Sequence, residues 1–109
     1  MKKIIFHGEI RNETGVIMAF SKIHEQLGFK NIVCSSPVGF DIQSIYYKGM
    51  NVTVEFEYKS SNYLAHKHQT KMEKGRKYVV ICWEDDCGLM QKIKKEHKQD
   101  IYEVIEIRK

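Results

Sequence analysis

Proline is nearly absent: Pro37 is the only one in 109 residues. No stretch rich in proline, glycine or serine could act as an interdomain linker. There is also no internal repeat or low-complexity tract, which excludes solenoid and array architectures. Long apolar runs are missing as well. Nothing approaches the roughly 18 residues of a membrane span, so no membrane partner is expected. The opening MKKIIFHGEI starts basic and apolar, but His7 and Glu9 interrupt it before it can act as an export signal. The cytoplasm is then the default location. Cysteines number only three, Cys34, Cys82 and Cys87. An odd count without a secretory context argues for reduced thiols rather than a disulfide framework.

What is present fits one small domain spanning 1–109, with room for a single core. The balance of 42% hydrophobic and 29% charged residues is that of an ordinary globular protein. The formal charge of +4 is compatible with a polyanionic partner and equally with none.

The clearest helix spans 12–28. Asn12 can cap its start and Gly28 can end it in a left-handed turn. Val16, Ile17, Phe20, Ile23 and Leu27 recur at helical spacing, and Glu13 falls close to that stripe, one turn before it. An acid there either complements the helix dipole or reaches a site at the core's edge. Three strands should follow, at 31–34, 41–48 and 51–59, with Lys48-Gly49 as a hairpin turn. The third alternates strictly. Val52, Val54, Phe56 and Tyr58 share one face, and Thr53, Glu55, Glu57 and Lys59 the other. A helix should begin near Ser60-Ser61-Asn62. Residues 78–83, YVVICW, read as a strand buried on both faces, ended by Glu84-Asp85-Asp86. A short basic helix over 88–98 and a strand over 101–107 complete the chain. The pattern predicts an α/β (α+β) fold, a mixed β-sheet flanked by helices.

The polar face of 51–59 is open to two readings, a solvated strand face or a chemical site. Asp41 favours the second. It opens the preceding strand, and a hairpin sets that strand beside 51–59, bringing its carboxylate toward Glu57. Carboxylates with a lysine two residues on suit phosphodiester hydrolysis. Asp41 and Glu57, with the carbonyl of Tyr58 and with Glu13 on the helix, are candidate oxygen ligands of the kind that Mg²⁺ or Mn²⁺ prefers. Lys59 can orient the attacking water or stabilise charge on the phosphate.

Asp41, a gap of 15 residues, then Glu57-Tyr58-Lys59 resembles the motif of the PD-(D/E)xK nuclease superfamily. The resemblance covers about residues 12–84. Pro37 does not directly precede Asp41, which departs from the motif's first letters. The segment from Glu55 to Tyr63, with His66-Lys67-His68 and Cys82-Trp83, also resembles a pattern of small proteins. The superfamily resemblance implies a restriction-endonuclease-like core in the order αβββαβ and a metal-dependent endonuclease. It implies Asp41, Glu57 and Lys59 as catalytic residues and Glu13 as the acid many members carry on the first helix. DNA is the expected polymer ahead of RNA, and a homodimer the expected assembly, since one small core covers only part of a duplex. His66, Lys67, His68 and Gln69 are the candidates for contact with the nucleic acid.

Two alternatives stay open. One is a catalytically silent domain of the same fold that binds nucleic acid or protein. The other is a zinc-stabilised module using His66-x-His68 and Cys82-x4-Cys87, although neither spacing matches a common zinc pattern.

Overall fold

The computed structural model describes residues 8–33, 42–65, 77–96 and 101–108. The first helix, α1, spans Glu13–Leu27. The Asn12 side chain accepts the Gly15 N–H at 2.8 Å, satisfying one of the donors left over at a helix start. Gly28 closes the helix at φ 98°, a left-handed conformation that glycine adopts without a Cβ penalty. Val16, Ala19, Phe20 and Ile23 are buried. Ile17, expected on that stripe, is 36% exposed. It lies about 100° round the helix from Val16, at the edge of the buried arc, and Ala19 takes its place in the core.

Five strands form one sheet in the order β1-β2-β3-β4-β5. They are β1 Phe29–Val33, β2 Ile42–Tyr47, β3 Met50–Lys59, β4 Tyr78–Glu84 and β5 Ile101–Glu106. The pairs β1–β2 and β2–β3 are antiparallel, while β3–β4 and β4–β5 are parallel. Helices α2 (Ser61–Ala65) and α3 (Leu89–Glu96) lie in the two parallel crossovers. The sheet is therefore mixed and flanked by helices, as the sequence predicts. The full order is αβββαβαβ. It extends the core order αβββαβ by α3 and β5, the helix and strand expected over 88–98 and 101–107, which continue the parallel side of the sheet.

The strand at 31–34 is corrected to Phe29–Val33. The Gly28 turn delivers Phe29 straight into the sheet, where its ring stacks on Tyr47 at 4.0 Å. Beyond Phe29 the strand is exposed, because β1 is an edge and Asn31 sits at φ 60° where the register slips. Its apolar letters Ile32 and Val33 are 39% and 54% exposed. Cys34 lies outside the described residues.

The central strand, β3, separates two apolar layers. Val52, Val54 and Phe56 pack with α1, Val79, Ile81 and Ile105. On the other side Val80 and Ile101 pack with Tyr63 of α2 and with Leu89 and Ile93 of α3. The expected face of α1 holds at Phe20, Ile23 and Leu27. β4 is buried from Tyr78 to Cys82, as a strand covered on both faces must be. Burying the Phe20 ring contributes about 2–3 kcal/mol, and that ring also meets Phe29 and Phe56 edge-on at 5.0 and 5.2 Å.

Candidate functional site

The second face of β3 is polar and buried together. Thr53 is 1% exposed, Glu55 4% and Glu57 1%. A solvated strand face, the plainer of the two readings of this alternation, is excluded. The cause is the crossover connection: a parallel partner requires a helix over the sheet, and that cover falls on the face carrying the acids. Parallel pairing sets Glu55 opposite Val80 and Glu57 opposite Cys82. Directly paired residues point to the same side, so Val80 of the α2/α3 layer borders Glu55.

Two tyrosines stand with these acids. Tyr78 is paired with Thr53 and 1% exposed. Tyr63 comes from α2 and is fully buried. Burial above all holds the Tyr63 phenol far above its ordinary value, and the carboxylate of Glu55, Tyr78 and then Glu57 add to the effect. The cluster is thus a pair of buried acids with a phenol that burial keeps protonated.

The end of β3 is fixed by a polar latch. Ser60 is fully buried, and its N–H donates to the Glu84 carbonyl at 2.9 Å. Its hydroxyl lies 2.6 Å from Asp85 Oδ1 and 3.1 Å from Asp86 Oδ1. Ser61 donates to Asp86 twice, from its N–H at 2.9 Å and its hydroxyl at 2.7 Å. Asp85 Oδ1 also accepts the Leu89 N–H at 3.1 Å, capping α3. Burial works to raise the Asp86 carboxyl, but the hydrogen bonds from Ser61 and Ser60 outweigh it and hold the group below its ordinary value. The latch joins the starts of α2 and α3 at the carboxyl ends of β3 and β4, where open α/β sheets place their ligand sites. A cleft of about 430 Å³ there is lined by Asp85, Gly88, Met90 and Gln91; neither Glu55 nor Glu57 lines it.

The residues expected to form the site are distributed as follows. Glu57 is in the buried cluster. Tyr58 is half-buried and faces the α1 layer. Lys59 follows the alternation of Glu57 but is exposed, at the strand end opposite Glu84. Glu13 is exposed at the head of α1, the helix that covers the opposite face of β3. The structure therefore brings Glu57 together with Glu55, and does not bring Glu13 to them. Asp41, His66, Lys67, His68 and Gln69 lie outside the described residues. Ile42, the neighbour of Asp41, enters the sheet opposite Val54, beside the stretch that carries Glu55 and Glu57.

Glu55, Tyr63, Tyr78 and Ser60 were not singled out by the sequence as members of a site. For Glu55 a signal existed, since it shares its face with Glu57. For Ser60 none did, because its partners lie 25 and more residues away.

The resemblance implies a divalent metal, and the donor chemistry fits in kind: carboxylate oxygens suit a hard cation. In number the described residues fall short, since among them no three His, Cys, Asp or Glu stand close enough to hold an ion.

Comparison with protein-family models, with curated proteins and with solved structures gives no match. Among the described residues no helix is long and apolar enough to cross a membrane.

Proposed function

We propose that the chain is a metal-dependent nuclease that hydrolyses phosphodiester bonds, built on a restriction-endonuclease-like core extended by α3 and β5. The observation that carries the reading is the burial of Glu55 and Glu57 side by side on one face of the central strand. Two like charges at alternate positions of a buried strand repel each other. A divalent cation would turn that repulsion into affinity. Glu57 and Glu55, joined by Asp41, are the residues that would hold Mg²⁺ or Mn²⁺. When bound, that ion neutralises charge on the phosphate and lowers the pKa of water.

The chain's own groups do the rest. The carboxylates would hold the cation that the phosphate meets. The layer of Tyr63, Val80 and Leu89 keeps bulk water off their inner side. Lys59, exposed at the end of β3, would meet the phosphate or orient the attacking water. His66, Lys67, His68 and Gln69 follow α2 directly in the chain and remain the proposed contacts to nucleic acid, DNA ahead of RNA, in a homodimer within the cytoplasm.

One observation weighs against the zinc-stabilised module. Cys82 is fully buried, its Sγ lies 3.7 Å from the Ile105 carbonyl, and burial pushes its thiol far up. The neighbouring Asp85, Glu106 and Asp86 carboxylates add to that shift. A thiol held protonated is a poor zinc ligand.

The test is cleavage of labelled DNA and RNA, single- and double-stranded, with Mg²⁺, Mn²⁺ or chelator. The expected result is cleavage that needs added metal and falls by at least about 100-fold in Glu57→Gln and Asp41→Asn. Binding without cleavage by the wild-type chain supports the silent domain instead, and stoichiometric zinc in the purified protein supports the module.

A further inference from the structure

We propose that the open half of the polar sheet face, over β1 and β2, is a platform for single-stranded nucleic acid, with a base stacked on Tyr46 and a phosphate held by Lys30. The inference rests on the nuclease reading and deepens it by naming a single strand as the substrate.

The placement follows from register. Ile45 and Tyr47 are buried in the α1 layer, so Tyr46 between them points to the opposite face. Lys30 and Asn51 are its paired neighbours on β1 and β3, and paired residues share a side. Lys30, Tyr46 and Asn51 thus form one row across three strands. All three are exposed, Tyr46 to 37%. Thr53, next on this face of β3, is 1% exposed. The cover over the face therefore begins between Asn51 and Thr53. The apolar layer under α2 and α3 takes its strand residues from β4 and β5, and among the described residues none comes from β1 or β2.

Three features select the partner. The first is charge. The described residues of β1, β2 and the turn into β3, 29–33 and 42–51, include Lys30 and Lys48 and no acid. Lys48 is engaged by Glu103 at 3.0 Å, whereas the Lys30 ammonium stands 5.9 Å from the centre of the Tyr46 ring. That distance is the outer limit of a cation–π contact, so the charge flanks the ring and can turn to a phosphate. The second is the ring itself. Every base has a π-face, and it can stack on a side chain once it is free of a duplex. The third is continuity. The row lies on the face that carries Glu55 and Glu57, and Asn51 is about 20 Å from Glu57 along β3. A strand laid on Tyr46 can therefore run toward the acids. A second copy paired edge to edge on β1 suits the site less, because Asn31, at φ 60°, breaks the strand's regular register.

The experiment is fluorescence anisotropy with the full chain in chelator, so that no cleavage is needed, across a series of salt concentrations. The probes are a labelled oligothymidylate of about 15 nucleotides, an oligouridylate of the same length and a blunt DNA duplex. One or both single strands should bind more tightly than the duplex, and the stronger arm names the polymer. Tyr46→Ala should weaken that binding by about 5- to 100-fold, and Tyr46→Phe, which keeps the ring, should stay within about 3-fold of wild type. Lys30→Gln should make the fall of log affinity with log salt shallower by about 0.7. Lys22→Gln, an exposed lysine of the helix on the other side of the sheet, should leave the slope unchanged. Lys30 is exposed, so its variant keeps the test decisive should Tyr46→Ala not fold. Unchanged affinity in a folded Tyr46→Ala, an unchanged slope in Lys30→Gln, a preference for the duplex, or no binding by the wild-type chain overturns the proposal. So does a wild-type dimer that Tyr46→Ala dissociates, since the face would then belong to a second copy. Single-strand binding without metal-dependent cleavage removes the nuclease reading and leaves the platform standing, whereas cleavage that persists undiminished in Tyr46→Ala removes the platform alone.

Discussion

Replacing Glu57 by glutamine should make the metal-free protein more stable and the metal-loaded protein less so. Residues at alternate strand positions stand about 6.7 Å apart. Two unit charges at that distance repel by about 2.5 kcal/mol at the effective dielectric of about 20 that suits such sites. Glu55 and Glu57 are 4% and 1% exposed, so water screens little of this. Glutamine keeps the shape and removes one charge. Burying the amide N–H₂ in the same place gives back about 1 kcal/mol. The net gain in chelator is then about 1–2 kcal/mol.

Metal reverses the ranking. At a free concentration 100 times its dissociation constant a ligand stabilises the wild-type fold by about 2.7 kcal/mol. The variant, with one ligand weakened, forgoes most of that increment. Urea unfolding in chelator and in Mg²⁺ reads both quantities, and an unchanged slope shows that only stability has moved. Glu55→Gln should behave in the same way. Lys59→Ala, at an exposed position, should stay within about 0.5 kcal/mol of wild type in chelator. A Glu57→Gln protein less stable than wild type in chelator, with an undiminished metal increment, would refute the reasoning. The pair would then be holding the fold together rather than waiting for a cation.

Ser60→Ala should destabilise the protein by about 2 kcal/mol, because it strips a hydroxyl 2.6 Å from the Asp85 carboxylate in a fully buried place; a loss under about 0.5 kcal/mol in urea unfolding would show the latch to be dispensable. Tyr47 supplies a test in alkali. Burial first, then its 2.8 Å hydrogen bond to Glu103, pushes its phenol from 10.0 up to about 12. The folded state therefore keeps a proton that the unfolded state gives up, and the stability this contributes is full below pH 10 and is lost as pH rises toward about 12. Tyr47→Phe should flatten the fall in urea midpoint over that window, and an unaltered pH profile would contradict the assignment.

The strand at 51–59 and the helix at 12–28 were legible because their causes are local. Strict alternation can only put Val52, Val54 and Phe56 on one side and Glu55 and Glu57 on the other. Asn12 and Gly28 punctuate the helix through contacts within one turn. The sequence by itself therefore determined the elements, the central β-hairpin and the pairing of acids on one strand face.

It could not say whether that face met water or protein, since both produce the same period of two. Only the parallel crossover from β3 to β4, which sets α2 against β3, decided for burial. The same burial distinguished members of one motif. Glu55 and Glu57 sit under the helical layer, while Lys59, on the same face, emerges at the strand's end. Glu13 shows the limit from the other side. Helical spacing put it near the apolar stripe, yet α1 lies across the opposite face of the sheet, and the side a helix takes is fixed by how the whole sheet is covered. The latch of Ser60 and Ser61 with Asp85 and Asp86 left no mark in the sequence at all. It joins residues about 25 apart that become neighbours only because β3 and β4 run parallel and end together.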